Sequence, residues 1–145
     1  MKLSTRSRYG IRMMYELALH FGNGYTFLKD ISSRQNISEK YLGQLIIPLR
    51  SSGLVISTRG AHGGYSLSRH PSKITLYEII NVLEGTTCVV ECVKEPSICN
   101  RTDICPTRSV WERFDKTITD FLQGITLESL VLDEQADGGQ SMYHI

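Results

Sequence analysis

No apolar run in these 145 residues approaches the ~18 needed to cross a bilayer, so no membrane-spanning helix is expected. The opening stretch, MKLSTRSRYGIRMM, lacks the unbroken apolar core of a secretory signal, because Lys2, Arg6, Arg8 and Arg12 are scattered through it. The sequence therefore reads as that of a soluble, cytoplasmic protein. In that compartment its four cysteines point to ligands or redox thiols rather than to disulfides. Paired carboxylates, a nucleophile with its base, and a phosphate-binding loop are also missing, which leaves an enzyme without support. There is no internal repeat. The net charge of +1, with 41% apolar and 21% charged residues, is ordinary for a globular chain, and the length suits one compact domain with or without an extension.

That small net charge conceals an asymmetry. Residues 1–75 carry eleven Lys and Arg against three acids, a balance of +8, and the remainder carries five against twelve, −7. A basic half joined to an acidic half suggests that the first meets a polyanion and the second does something else. Charge alone is weak evidence, since a basic face is more often merely solvated, so periodicity has to decide.

Tyr9, Ile11, Met13, Met14, Leu17, Ala18 and Leu19 recur at helical spacing until Gly22-Asn23-Gly24 ends the pattern. Thr26 is positioned to cap a short second helix with Leu28 and Ile31 inward. Gln35-Asn36 forms a turn, and Ser38 caps a third helix with Tyr41, Leu42, Leu45, Ile46 and Leu49 inward and Gly53 just past its end. Pro48 inside that pattern is expected to kink or shorten it. Two short helices joined by a tight turn make a helix-turn-helix. The β-rich runs Leu54–Thr58 and Tyr65–Ser68 then flank the turn Arg59-Gly60-Ala61-His62-Gly63-Gly64, and a hairpin directly after a helix-turn-helix is a wing.

A helix through Tyr77–Leu83 stops at Gly85. Residues 86–107 then read as a long loop, poor in large apolar residues, that holds Cys88, Cys92, Cys99 and Cys105 at spacing C-x3-C-x6-C-x5-C. From Arg108 to Gly124 a long helix shows a stripe of Val110, Trp111, Phe114, Ile118, Phe121 and Leu122, broad for a helix leaning on so small a domain. A short capped helix at Ile125–Val131 and a flexible tail ending GGQSMYHI complete the chain. The fold class expected is mainly α with a small β-hairpin. Structural zinc sites usually bring C-x2-C pairs, absent here, and inert thiols more often occupy apolar core positions.

In order, MKLSTRSRYGIRMMYELAL, ISEKYLGQLIIPLRSSGLVISTRGAHGGYSL, ITLYEIINVLEG, the cysteine loop and ITLESLV resemble the Rrf-two family of bacterial winged-helix regulators, to about residue 132. The resemblance implies a winged helix-turn-helix DNA-binding domain at 1–75, a connecting helix and cluster loop at 76–107, a dimerisation helix and short C-terminal helix at 108–134, and a tail at 135–145. It implies a homodimer that presents its two basic halves to adjacent turns of a near-palindromic double-stranded operator, most simply as a repressor. Ser38, Lys40, Tyr41 and Gln44 would address the major groove, where Gln can pair with adenine and Lys with guanine or phosphate. Arg59 and His62 would enter the narrow groove from the wing, and Lys2, Arg6, Arg8 and Arg50 would neutralise phosphates. Gly43 stands where iron-sulfur members carry a larger polar residue, so base selectivity need not follow theirs.

By the same resemblance Cys92, Cys99 and Cys105 look like the ligands of an iron-sulfur cluster, [2Fe–2S] in preference to [4Fe–4S], with assembly proteins as cluster donors. Its fourth ligand is open. The histidine that iron-sulfur regulators place three residues after the last cysteine is Arg108 here, and the acid that nitric-oxide sensors use from the partner subunit falls at Arg8. Cys88 is the internal substitute, with Glu91, water or an external thiol behind it, and no histidine is a natural ligand. The function expected is a regulator sensing iron-sulfur status and controlling cluster biogenesis. The alternatives are control of cysteine metabolism or of redox and nitric-oxide stress and, from another class, a small redox or zinc-stapled interaction protein.

Overall fold

The computed structural model describes residues 2–141. The first helix, α1 (Thr5–Leu19), begins where the Ser4 hydroxyl accepts the Ser7 N–H at 3.2 Å. Its inward face, Gly10, Met13, Met14, Leu17 and Ala18, follows the helical repeat of the sequence. α2 (Leu28–Gln35) and α3 (Glu39–Ser51) form the helix-turn-helix. Asn36 closes α2 in the left-handed region at φ 53°, and Ser38 caps α3 by accepting the Tyr41 N–H at 3.1 Å.

One local expectation fails, and the shortening expected at Pro48 is not found. Thr26 does not cap α2. Its backbone pairs with Tyr65 instead, both N–H to O distances being 2.8 Å, and Phe27 takes the cap position. Pro48 does not shorten α3, which runs on to Ser51. The proline removes one donor from the ladder, while the burial of Leu45, Ile46 and Leu49 holds the helix on the core.

Gly53, at φ 83°, then turns the chain so that the Leu54 N–H reaches back to the Leu49 carbonyl at 3.1 Å. β1 (Val55–Thr58) and β2 (Gly64–Leu67) pair antiparallel with Val55 opposite Leu67. A Cβ on Gly64 would lie 2.5 Å from the Thr26 carbonyl oxygen, so this glycine is dictated by the close third strand of backbone. A single 3₁₀ turn at Pro71–Lys73 leads to α4 (Leu76–Glu84), started by a reciprocal cap between Thr75 and Glu78 and ended by Gly85 at φ 80°.

Residues 86–107 are not wholly loop. A helical turn, α5 (Glu91–Lys94), and a 3₁₀ turn at Pro96–Ile98 break them up, and none of these residues joins the core. α6 (Arg108–Gln123) follows as expected. It has no buried residue in the protomer, and Val110, Trp111, Phe114 and Phe121 stay exposed.

The C-terminal helix is longer than the sequence suggests. α7 (Leu127–Ser141) takes in residues 135–141 of the expected tail, while the final MYHI lies outside the described residues. It also returns to the first domain. Thr126 pairs with Thr75, the Leu127 N–H donates to the Ile74 carbonyl at 3.0 Å, and Leu127 is fully buried in one core with Met13, Leu42, Leu67 and Ile79. α1 packs against α4 and α7, so the winged-helix half and the last helix share a core, with α6 projecting beside it.

Candidate nucleic-acid interface and cysteine segment

α3 turns Lys40, Gln44, Ile47 and Arg50 outward and Leu42, Leu45 and Leu49 inward, as a helix with one apolar face must. The Ser38 hydroxyl is spent on the helix cap. Tyr41 is set back from the exposed edge, since it is half-buried with its ring edge-on to Tyr9 at 5.9 Å. The hairpin tip leaves Arg59 and His62 exposed, and the Gly63 N–H closes its turn on the Gly60 carbonyl at 3.0 Å. Ser38, Lys40, Gln44, Arg50, Arg59 and His62 thus all lie exposed on the helix-turn-helix and its wing.

The N-terminal cations behave differently. Arg6 donates from Nε to the Leu83 carbonyl at 3.0 Å, which ties it to the end of α4, and Arg8 reaches the Thr5 hydroxyl at 3.2 Å. Lys2 lines a cavity of about 590 Å³ between the N-terminal arm, α4 and the end of α6. Glu84 completes this junction. Its Oε1 accepts the Ser4 and Ser7 hydroxyls at 2.5 Å each and the Ser4 N–H at 3.1 Å. The hydroxyls of Ser4 and then Ser7 hold the Glu84 carboxyl below the ordinary carboxylate range. No sequence signal announced this contact, because its partners stand some 80 residues apart.

A second network escaped the sequence as well. Glu16 is buried in α1, where its Oε1 accepts the Gln35 amide at 2.6 Å and its Oε2 lies 3.5 Å from the Arg34 guanidinium. Arg12 donates to the Gln35 side-chain oxygen at 2.9 Å and to the Gln35 carbonyl, and stacks over Tyr9. These groups pin α2 to α1 and so set the angle at which the helix-turn-helix is presented.

The four cysteines are free and half-buried. Cys92 lies near the start of α6, since Arg108 Nη1 donates to its carbonyl at 2.9 Å. Cys105 is at the same end, its Sγ 3.3 Å from the Thr107 hydroxyl. That hydroxyl first, and the Thr107 amide second, hold the Cys105 thiol below the ordinary cysteine range. Cys99 follows the 3₁₀ turn, where its carbonyl accepts the Thr102 hydroxyl at 2.8 Å.

Cys88 stands apart. It lines the 590 Å³ cavity with Thr117, Ile118, Phe121 and Leu122, some ten residues along α6 from Thr107, on the order of 15 Å of helix rise. Among the described residues no three Cys, His, Asp or Glu side chains converge as a metal-binding group. Thiols are the right donors for an iron-sulfur cluster, but as placed they do not fit one, and the segment would have to rearrange to gather them.

The family described as Rrf2, iron-dependent transcriptional regulator, matches residues 3–133. The chain is 43% identical to the regulator CymR of Bacillus subtilis over 143 residues, covering 99% of this chain and 97% of that protein. It is 38% identical to the regulator IscR of Pectobacterium atrosepticum over 135 residues, 93% of this chain and 82% of that one. Among solved structures, CymR of B. subtilis, described as its global cysteine regulator, superposes with a TM-score of 0.75 at 43% identity over 90% of this chain and 95% of that one. IscR of T. potens gives 0.75 at 43% over 92% and 88%. These relatives are regulators rather than enzymes.

Proposed function

This chain belongs to the Rrf2 family of transcriptional regulators, and on that premise we propose that it binds a near-palindromic operator as a cytoplasmic homodimer and that residues 86–107 receive its signal. The observation that carries the DNA reading is the outward face of α3, with Lys40, Gln44 and Arg50, beside a wing tip that leaves Arg59 and His62 in solvent. Gln44 and Lys40 are the residues for base edges. Arg50 and Arg59 neutralise phosphates, and His62 enters the narrow groove. Of the N-terminal cations, Arg8 remains suited to a phosphate, whereas Arg6 is occupied on α4. The unburied apolar stripe of α6 supports dimerisation through that helix.

The route from segment to DNA runs through contacts of this chain. The segment leaves α4 at Glu84, which grips the start of α1, and Arg108 of α6 grips the carbonyl of Cys92. A rearrangement of 86–107 pulls on both attachments and so on how α1 and α3 are held.

Two signals have support. Iron-sulfur status is supported by thiol donors on a segment outside the core and by the IscR relatives, with Cys92, Cys99 and Cys105 as the residues that would hold a cluster. Cysteine metabolism is supported by CymR, at similar identity. The test is purification without oxygen, with visible absorption, iron and acid-labile sulfide measured for wild type, Cys92→Ser and Cys88→Ser. The iron-sulfur reading expects a coloured protein holding both elements, bleached by Cys92→Ser, with Cys88 reporting whether it serves as the fourth ligand. A colourless wild type under these conditions favours the cysteine-metabolism reading.

A further inference from the structure

Gly10 and Gly43 sit inside α1 and α3, away from the helix ends. Gly10 is required by packing, since a Cβ there would lie 2.2 Å from Leu83 Cδ1 at the crossing of α1 and α4. Gly43, in the middle of α3, has no such reason. A Cβ there would meet nothing within 4 Å, and its φ lies in the ordinary helical range. A glycine in that place weakens the helix relative to alanine and contributes nothing to the protomer's packing.

One turn further along lies a second residue the fold does not use. Ile47 is 63% exposed, while Leu42, Leu45, Ile46 and Leu49 of the same helix are buried. Gly43 and Ile47 stand at i and i+4 on the outward side that also carries Lys40 and Gln44. One isoleucine beside a bare stretch of backbone, framed by Lys40, Gln44 and Arg50, is too small and too polar in its surroundings for a protein-docking patch. It matches the outer edge of an A·T pair in the major groove, where the thymine 5-methyl is the apolar group and the rest is donor, acceptor and phosphate.

We propose that Ile47 is a base-reading residue that packs on a thymine methyl, and that Gly43 lets the α3 backbone approach closely enough for it to do so. This rests on α3 being the recognition helix, and it adds a determinant of sequence choice beyond Lys40 and Gln44. Gln44, three residues before Ile47, is placed to pair with an adenine of the same or the adjoining step.

The experiment begins with selection of binding sites from random duplex DNA by the full-length protein. Each thymine of the selected site is then replaced singly by deoxyuridine, which removes only the 5-methyl. One such replacement per half-site is expected to weaken wild-type binding about fourfold, the ~0.8 kcal/mol of one buried methyl-sized group, and to leave Ile47→Ala indifferent. Gly43→Ala is expected to raise Tm while weakening the selected site and sparing low-salt binding to unrelated duplex. If every deoxyuridine is neutral for wild type, or costs Ile47→Ala the same, Ile47 does not read thymine. Duplex binding without any enriched sequence removes base reading by α3 altogether, and the absence of salt-dependent duplex binding removes the DNA-binding reading itself.

Discussion

Gly10 and Gly43 respond in opposite directions to the same change. Gly10→Ala drives a methyl into buried Leu83 and is expected to cost about 1–3 kcal/mol, the usual penalty for overfilling a packed contact. Gly43→Ala meets open space and is expected to add up to about 1 kcal/mol of helix stability. Urea denaturation of the two variants beside wild type gives both signs in one comparison. Glu84 makes a pH prediction. Hydrogen bonds from Ser4 and Ser7 lower its folded-state pKa below the ordinary 4.5, so its contribution is present above that value and lost as pH falls through the lowered one. Because the carboxylate is exposed, the loss is held below about 1 kcal/mol. Urea titrations near pH 7 and near pH 3.5 check it: wild type is expected to lose more stability between them than Glu84→Gln.

At the scale of elements, the pin between α1 and α2 and the return of α7 carry the weight. Gln35→Leu strips buried Glu16 of its amide donor and Arg12 of its side-chain acceptor, leaving Arg12 only the backbone carbonyl of residue 35. It is expected to cost about 1–3 kcal/mol and to loosen α2, seen as faster amide exchange there than in α4. Leu127→Ala empties a fully buried site shared with α1 and α4, and is expected to cost about 2–5 kcal/mol. How far the sequence foretells these elements depends on whether their cause is local. Ser38 before a helical repeat and Gly53 after it foretell α3, and the turn between two β-rich runs foretells the hairpin, because caps and glycines act within a few residues. Thr26 misleads because pairing with Tyr65 across the domain outweighs its capping preference. α7 is underestimated because its apolar repeat thins after Leu132. It starts instead from the bridge of Thr126 with Thr75 and the burial of Leu127, which only the folded chain provides. The same holds at the site: the exposed face of α3 is readable from helical spacing, whereas Glu84 meeting Ser4 and the separation of Cys88 from Cys105 are tertiary facts.

The molecule as a whole divides its tasks along the charge asymmetry of its sequence. The basic half presents α3 and the wing, and the acidic half carries the cysteine segment and an α6 that leaves Val110, Trp111, Phe114 and Phe121 exposed in the protomer. On the proposed dimer through α6, Phe114→Glu places a charge in that stripe and is expected to leave the protein monomeric in sedimentation where wild type is dimeric, with weaker operator binding because the two half-sites are no longer joined. In the proposed function the state of residues 86–107 sets affinity for DNA. The measurement to make is the Kd for one selected operator at one salt concentration, comparing protein purified without oxygen with the same protein after chelator and air. The two preparations are expected to differ in affinity for the selected operator and to converge on unrelated duplex, where only phosphate contacts remain. Equal affinity for the operator in both states would mean that the segment does not control DNA binding.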